Sequence, residues 1–317
     1  MKKTGLIMIL FFLSISLHYS QQISILKDEK MSAWKQGKLY MLKTVDEEVN
    51  KVFESSLKAT FPNYVGSVSL EESKNIMGNE NNFLALIYYP GCFDPKKIDH
   101  IEMGIGILQA TDKKLPKFAS AINYRSMLVY HNYVPFAPTL NVSFIAKEVR
   151  EINTKGDAYK TFTPEPNLIA LIPSTVLNFK QYIEAMDKTM GIETLKTDAK
   201  KMIYVGKELS QNAKVLKNKT LLVLDNPLTE DFYNAYAFKK EKMANYDLSK
   251  IKDKNYCLLK YTYVLGDLMQ VSVIDCETGL LIYTENTFSP NTNMRPMTEQ
   301  MANNLNNAVN GNYKTGK

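Results

Sequence analysis

Cys92, Asp94, Asp99, His100 and Glu102 fall within eleven residues of one another, in the stretch YYPGCFDPKKIDHIE from 88 to 102. A thiol, an imidazole and carboxylates are the side chains of nucleophilic and acid–base catalysis. A Cys nucleophile needs a neighbouring base, such as His100, to form its thiolate. The same stretch has a plainer reading, because Pro90, Gly91 and Pro95 build a loop between two strands. Nothing in the spacing brings Cys92 against His100. The only His residues are 18, 100 and 131, which starves mechanisms that need several imidazoles. A hydrolase using Cys92 and His100, or carboxylates, therefore stands as an alternative reading.

A second polar group occupies a bend in VSVIDCETGLLIYTENT, residues 271–287. Asp275 and Glu277 are too few for a calcium cage. Asp275 can instead accept backbone N–H bonds, while Gly279 takes the left-handed conformation that closes a turn. The bend reads as a corner. Upstream, Gly266-Asp267 predicts a two-residue hairpin turn between strands 255–265 and 268–274. In that register Cys257 faces Cys276 at a hydrogen-bonded pair, where the Cβ atoms are held further apart. An oxidising compartment permits the bond, so a Cys257–Cys276 disulfide and two free thiols both stay open. Tyr130, His131, Tyr133 and Phe136 surround a Pro-rich turn and are the candidates for partner binding, since loop aromatics anchor partners or stack on sugars. The chain carries no GxSxG, P-loop, HExxH or CxxC motif, and neither a metal nor a cofactor is expected.

The elements that would position these groups form a loose internal echo. KLYMLKTVDEEVNKVFESSLKATFPNY (38–64) is matched by KTLLVLDNPLTEDFYNAYAFKKEKMANY (219–246). NFLALIYY (82–89) is matched by NYCLLKYTY (255–263), and MGIGILQATDKKL (103–115) by MQVSVIDCETGLL (269–281). Three matches in the same order predict a duplicated globular unit. Thr44 and Glu47 read as a capping box, ahead of Val49, Val52, Phe53, Leu57 and Phe61 on one helical face. Thr229 is the matching cap in the second copy, with Phe232, Tyr233 and Tyr236 on the apolar side. Met297, Met301, Leu305 and Val309 predict a last helix stopped by Gly311. Between the copies, Pro164 and Pro166 mark a linker. Helices over Asn178–Met190 and Asp198–Leu216, with Met202, Val205, Leu209 and Ala213 on one face of the latter, have no counterpart in the first copy.

The expected fold is α/β (α+β). It comprises two related small domains, each a mostly antiparallel sheet with helices packed on it, the second with an added helical pair. The boundaries are a leader over 1–20, domain one over 21–155, a linker over 156–167 and domain two over 168–317. Lys2, Lys3 and the apolar run Leu6–Leu17 make the leader a cleaved secretory signal peptide, too short and wrongly flanked to span a membrane. No Cys near the cut offers a lipid anchor. The later apolar run NLIALIPSTVLNF (167–179) is interrupted by Pro173. Apolar residues make up 45% of the chain, enough for a packed core. The formal charge of +6 comes almost wholly from dispersed Lys, with Arg only at 125, 150 and 295. Nucleic-acid sites favour clustered Arg, so no nucleic-acid partner is expected.

Residues 219–310 resemble the small periplasmic α/β domains of bacterial envelope proteins: the TolB amino-terminal domain and the curli-secretion and peptidoglycan-synthase-activator lipoproteins. The likeness rests on the Asp-x-x-Thr-Gly turn at Asp275, Thr278 and Gly279, followed by a strand (Leu280–Thr284) and a helix (Pro296–Asn310). The first copy has Asp112-Lys113-Lys114-Leu115 instead, and no lipobox Cys is present. The resemblance implies a binding or assembly role without catalytic residues. The expected function is thus a periplasmic or extracellular envelope protein whose partner is an envelope protein or cell-wall component. A small-ligand or glycan carrier with a pocket between the domains is the further alternative.

Overall fold

The computed structural model describes residues 23–25, 34–44, 46–88, 100–111, 113, 127–135, 166–191, 205–223, 230–238, 243–245, 247–263, 268–288 and 298–312. The first unit runs β1 (Ile23–Ile25), β2 (Lys38–Leu42), α1 (Glu47–Thr60), β3 (Tyr64–Val68), β4 (Asn82–Tyr88), β5 (His100–Gln109), β6 (Met127–Pro135) and α2 (Pro166–Met190). The second runs β7 (Thr220–Val223), α3 (Glu230–Ala235), β8 (Met243–Asn245), β9 (Tyr256–Tyr263), β10 (Leu268–Asp275), β11 (Leu281–Phe288) and α4 (Glu299–Val309). The sheets are ordered β1-β6-β5-β4-β2-β3 and β11-β10-β9-β7-β8. Leaving β1 aside, the two orders are the same. In each, the first strand is parallel to both its neighbours, and the remaining described pairs are antiparallel. The chain is α/β, with two related units of sheet and helix.

Backbone bonds outside the ladders fix which residues correspond. Lys38 N–H donates to Asn81 O as Thr220 N–H donates to Asn255 O, and Ala110 N–H donates to Asn82 O as Cys276 N–H donates to Tyr256 O. Asn81 is therefore the partner of Asn255, one residue earlier than the letters suggest. The match carries through the ladders: Leu86 lies opposite Gly106, and Lys260 opposite Ser272.

Local sequence explains most elements. Leu39 and Met41 alternate into the core from β2, and Val49, Phe53, Leu57 and Phe61 bury one face of α1. The cap of α1 is Asp46, not Thr44: its carboxylate accepts from the N–H groups of Glu48 and Val49. Asp at that position also meets the positive end of the helix dipole. Thr44 instead bonds Asn50 and the Asp46 N–H. In α4, Met301, Leu305 and Val309 are buried, and Gly311 stops the helix at φ 79°. The segment expected to be helical up to Leu216 is helical at 205–209 and 3-10 over Ala213–Asn218, with Val205, Leu209, Ala213 and Leu216 buried. Thr229, Met297 and Met202 lie outside the described residues.

The departure that matters most is α2. It begins at Pro166, so the expected boundary at 167/168 falls inside a helix, and it runs unbroken through Pro173. Pro173 cannot donate to the carbonyl one turn back, while the Ser174 and Thr175 hydroxyls both bond Leu171 O. Its contacts are with α1, β5 and β6, so it closes the first unit as α4 closes the second. Its other side lies on the second sheet. One core cluster joins Phe53, Phe83 and Ile107 of the first unit, Val176, Phe179 and Met186 of α2, and Leu222, Leu258, Ile274 and Leu281 of the second sheet. The opposite face of that sheet packs on α3 and α4 through Leu221, Val223, Phe232, Val273 and Leu305. The layers thus read sheet, helices, sheet, helices. No described helix is long and apolar enough to cross a membrane.

The Asp46 cap is directly testable. Asp46→Ala should lower unfolding stability by about 1 kcal/mol, with Asp46→Asn retaining most of it. Urea titrations measure both, and an unchanged midpoint in the Ala variant would remove the cap assignment.

Candidate functional site

The corner expected at residues 275–279 is present and saturated. Asp275 N–H bonds Leu280 O, Gly279 N–H bonds Asp275 O, and Gly279 sits at φ 71°. The Asp275 carboxylate is satisfied by side chains, not by the backbone donors the sequence suggested. It accepts from Thr278 Oγ1 at 2.8 Å and from Lys219 Nζ at 2.5 Å, and Lys219 also reaches Glu277 at 3.0 Å. Burial works against the Lys219 charge, but its bonds to Asp275 and Glu277 outweigh that and raise its pKa. Lys219 is remote from the corner in sequence, and no local pattern announced it. A buried carboxylate whose oxygens are both bonded has little capacity left for a ligand.

Of the two states left open for Cys257 and Cys276, the structure has the free thiols. The β9–β10 register places Cys257 opposite Asp275, one residue from the expected pairing. Cys257 belongs to the core under α4, and Cys276 to the core on α2. Side chains on opposite faces of a sheet cannot bridge. Both are buried free thiols. Burial, then the Asp275 charge, pushes the Cys276 thiol up to about 12 and the Cys257 thiol higher still, which leaves neither reactive.

The other sequence candidates separate. Cys92 and Phe136 lie outside the described residues, as does the Gly266-Asp267 turn; His100 opens β5. Tyr130, His131 and Tyr133 are not on a turn. They lie within β6, paired with Ile105, Gly104 and Glu102 of β5, and β1 pairs with Tyr130 on the other side.

What the sequence did not single out is a polar row across the second sheet, under α2. Lys260 of β9, Ser272 of β10 and Thr284 of β11 lie opposite one another and are all buried. Thr284 Oγ1 bonds the Tyr182 hydroxyl of α2 at 3.0 Å, and Thr284 N–H donates to Ser210 Oγ. Ser272 Oγ lies 3.4 Å from Thr284 Oγ1. Lys260 is 3% exposed, and its amine has no hydrogen-bond partner. Burial brings its pKa down to about 7. Asn178, one turn before Tyr182 on α2, is fully buried with both amide atoms unpartnered. Gln181 beside it is satisfied by both backbone groups of Leu281. On the α4 side, burial raises Glu285 to about 7, partly opposed by its bonds to Tyr283 and Asn304.

A third feature is the outer edge of β3. This strand ends the first sheet, carries no charged side chain over Tyr64–Val68, and has its Tyr64 hydroxyl bonded to Glu54. Val65 and Leu70 are each 52% exposed. Among the described residues no group of His, Cys, Asp and Glu is arranged to hold a metal ion. No family model matches the chain, and comparisons with characterised proteins and with solved structures also find no match.

Lys260 gives a pH-dependent prediction with a definite sign. The folded chain releases its proton near pH 7, whereas the unfolded chain holds it to about 10.5. Between these values the unfolded state binds more protons, so this group adds stability as pH rises. Lys260→Met should be more stable than the wild type at pH 7, by about 1–4 kcal/mol. That advantage should shrink by at most about 1.4 kcal/mol per pH unit towards pH 9. Denaturant titrations at both pH values measure it; a pH-independent difference would show that Lys260 is not the titrating group.

Proposed function

We propose that this is a secreted protein of the bacterial cell envelope, periplasmic or extracellular, that binds and helps assemble other envelope components without catalysing a reaction. The observation that carries the reading is the outer edge of β3, with which no other described strand pairs. Natural sheets blunt their edges with charge, proline or a covering segment, because unpaired N–H and C=O groups recruit further strands. The Tyr64–Val68 edge has no charged residue or proline and displays Val65 beside it. Its equivalent in the second unit, β8, is three residues long. An extended segment of an envelope protein, with apolar side chains at alternate positions, would pair with the β3 backbone and pack on Val65 and Leu70. The order of corner, strand β11 and helix α4 adds support, since it is the order in the periplasmic domains that residues 219–310 resemble.

The test is cross-linking and affinity capture from envelope fractions with the mature chain and with a Val65→Lys, Leu70→Lys double variant. Both positions are half exposed, so thermal stability should be nearly unchanged. The wild type should retain a reproducible envelope partner that the double variant loses. Equal capture by both would overturn docking at β3.

A further inference from the structure

The first unit shows what the fold requires at the positions of the polar row. The residues corresponding to Lys260, Ser272 and Thr284 are Leu86, Gly106 and Val129, which lie opposite one another across β4, β5 and β6. Leu86 is 2% exposed, so an apolar side chain fills that place without difficulty. In the second unit the row is amine, hydroxyl, hydroxyl. It faces α2, where Tyr182 adds a further hydroxyl. Strand pairing therefore does not demand a polar row, and burying an amine without an acceptor works against stability. A buried group that breaks the packing rules without being required by strand pairing is where a functional site is expected.

We propose that Lys260, with the hydroxyls of Ser272 and Thr284 in the same cross-strand row, binds the carboxylate of a small organic acid between α2 and the second sheet. Lys260 offers donors only, so its missing partner is an acceptor. An anion also restores the charge that burial disfavours. A carboxylate has two acceptor oxygens and can accept from an amine and a hydroxyl together, which matches the row in charge and in donor type. Lys260 is buried and its amine has no partner, so the probe of choice is a small carboxylate such as acetate. Asn178 lies on the same face of α2 as Tyr182 and brings a buried donor and acceptor to that interface. An anion bound beside the amine should raise the Lys260 pKa. This site is independent of the β3 edge.

The experiment is thermal unfolding of the mature chain at pH 7 in sodium acetate, with sodium chloride at equal ionic strength and neutral acetamide as controls. Acetate should raise the midpoint in a saturable way, as a ligand specific to the folded state does, and neither control should match it. Lys260→Leu, which installs the first unit's residue, should abolish the shift. Thr284→Val, likewise the first unit's residue, should raise the half-saturating concentration several-fold; it keeps Lys260 and so guards against misfolding of the Leu variant. The Val65→Lys, Leu70→Lys variant should respond like the wild type, which separates this site from the β3 reading. An acetate effect no larger than that of chloride, or an undiminished one in Lys260→Leu, would overturn the proposal.

Discussion

A helix buried on two sides must satisfy two partners with one sequence, and α2 does this for the whole molecule. Towards the first unit it packs on α1, β5 and β6. Towards the second, Gln181 holds both backbone groups of Leu281, and Tyr182 bonds Thr284. Leu171, Ile172, Val176, Phe179 and Met186 are all nearly inaccessible. Each such side chain contributes roughly 1.5–3 kcal/mol on burial, which helps a Pro173-containing helix stay continuous. Because the same cluster contains residues from both sheets, neither unit completes its core alone. The Lys35–Asp187 ion pair, which also ties α2 to the segment before β2, is largely exposed and adds little.

The second sheet consequently has two unlike faces. Under α4 it carries Leu221, Val223, Leu259, Val271 and Val273, an ordinary apolar set. Under α2 its apolar residues end in the row of Lys260, Ser272 and Thr284. The first sheet meets its helices through Leu39, Met41, Phe83, Ala85, Ile87, Ile105 and Ile107. The first-sheet face equivalent to the one under α2 carries Leu84 and Leu86 instead, so the two copies differ in chemistry there. An interface between units is where a ligand can be enclosed by side chains from both, a common location for small-molecule sites.

Polar groups in the interior divide by whether their bonds are complete. The corner of Lys219, Asp275, Glu277 and Thr278 is closed by mutual bonds, and its consequence is shape: it reverses the chain between β10 and β11. The Lys260 amine and the Asn178 amide have no such closure. Satisfied buried groups specify a fold, whereas unsatisfied ones lower stability until something supplies the missing partner.

Much of this architecture was legible in the sequence. Periodicity found α1 and α4 because Val49, Phe53 and Leu57, or Met301, Leu305 and Val309, repeat along one helix face. The echo of MGIGILQATDKKL in MQVSVIDCETGLL aligned β5 with β10 in the register the ladders adopt, and Gly279 announced its turn because a left-handed residue needs no Cβ. What tertiary structure alone decided depended on partners distant in the chain. A one-residue change of register put Cys257 and Cys276 on opposite faces, because side chains alternate along a strand. Pro173 looked like a break because its missing N–H is local, while the packing that holds α2 through it comes from both sheets. Nothing distinguished Lys260 from the other dispersed lysines, since a single sequence does not show which face of β9 another helix will cover.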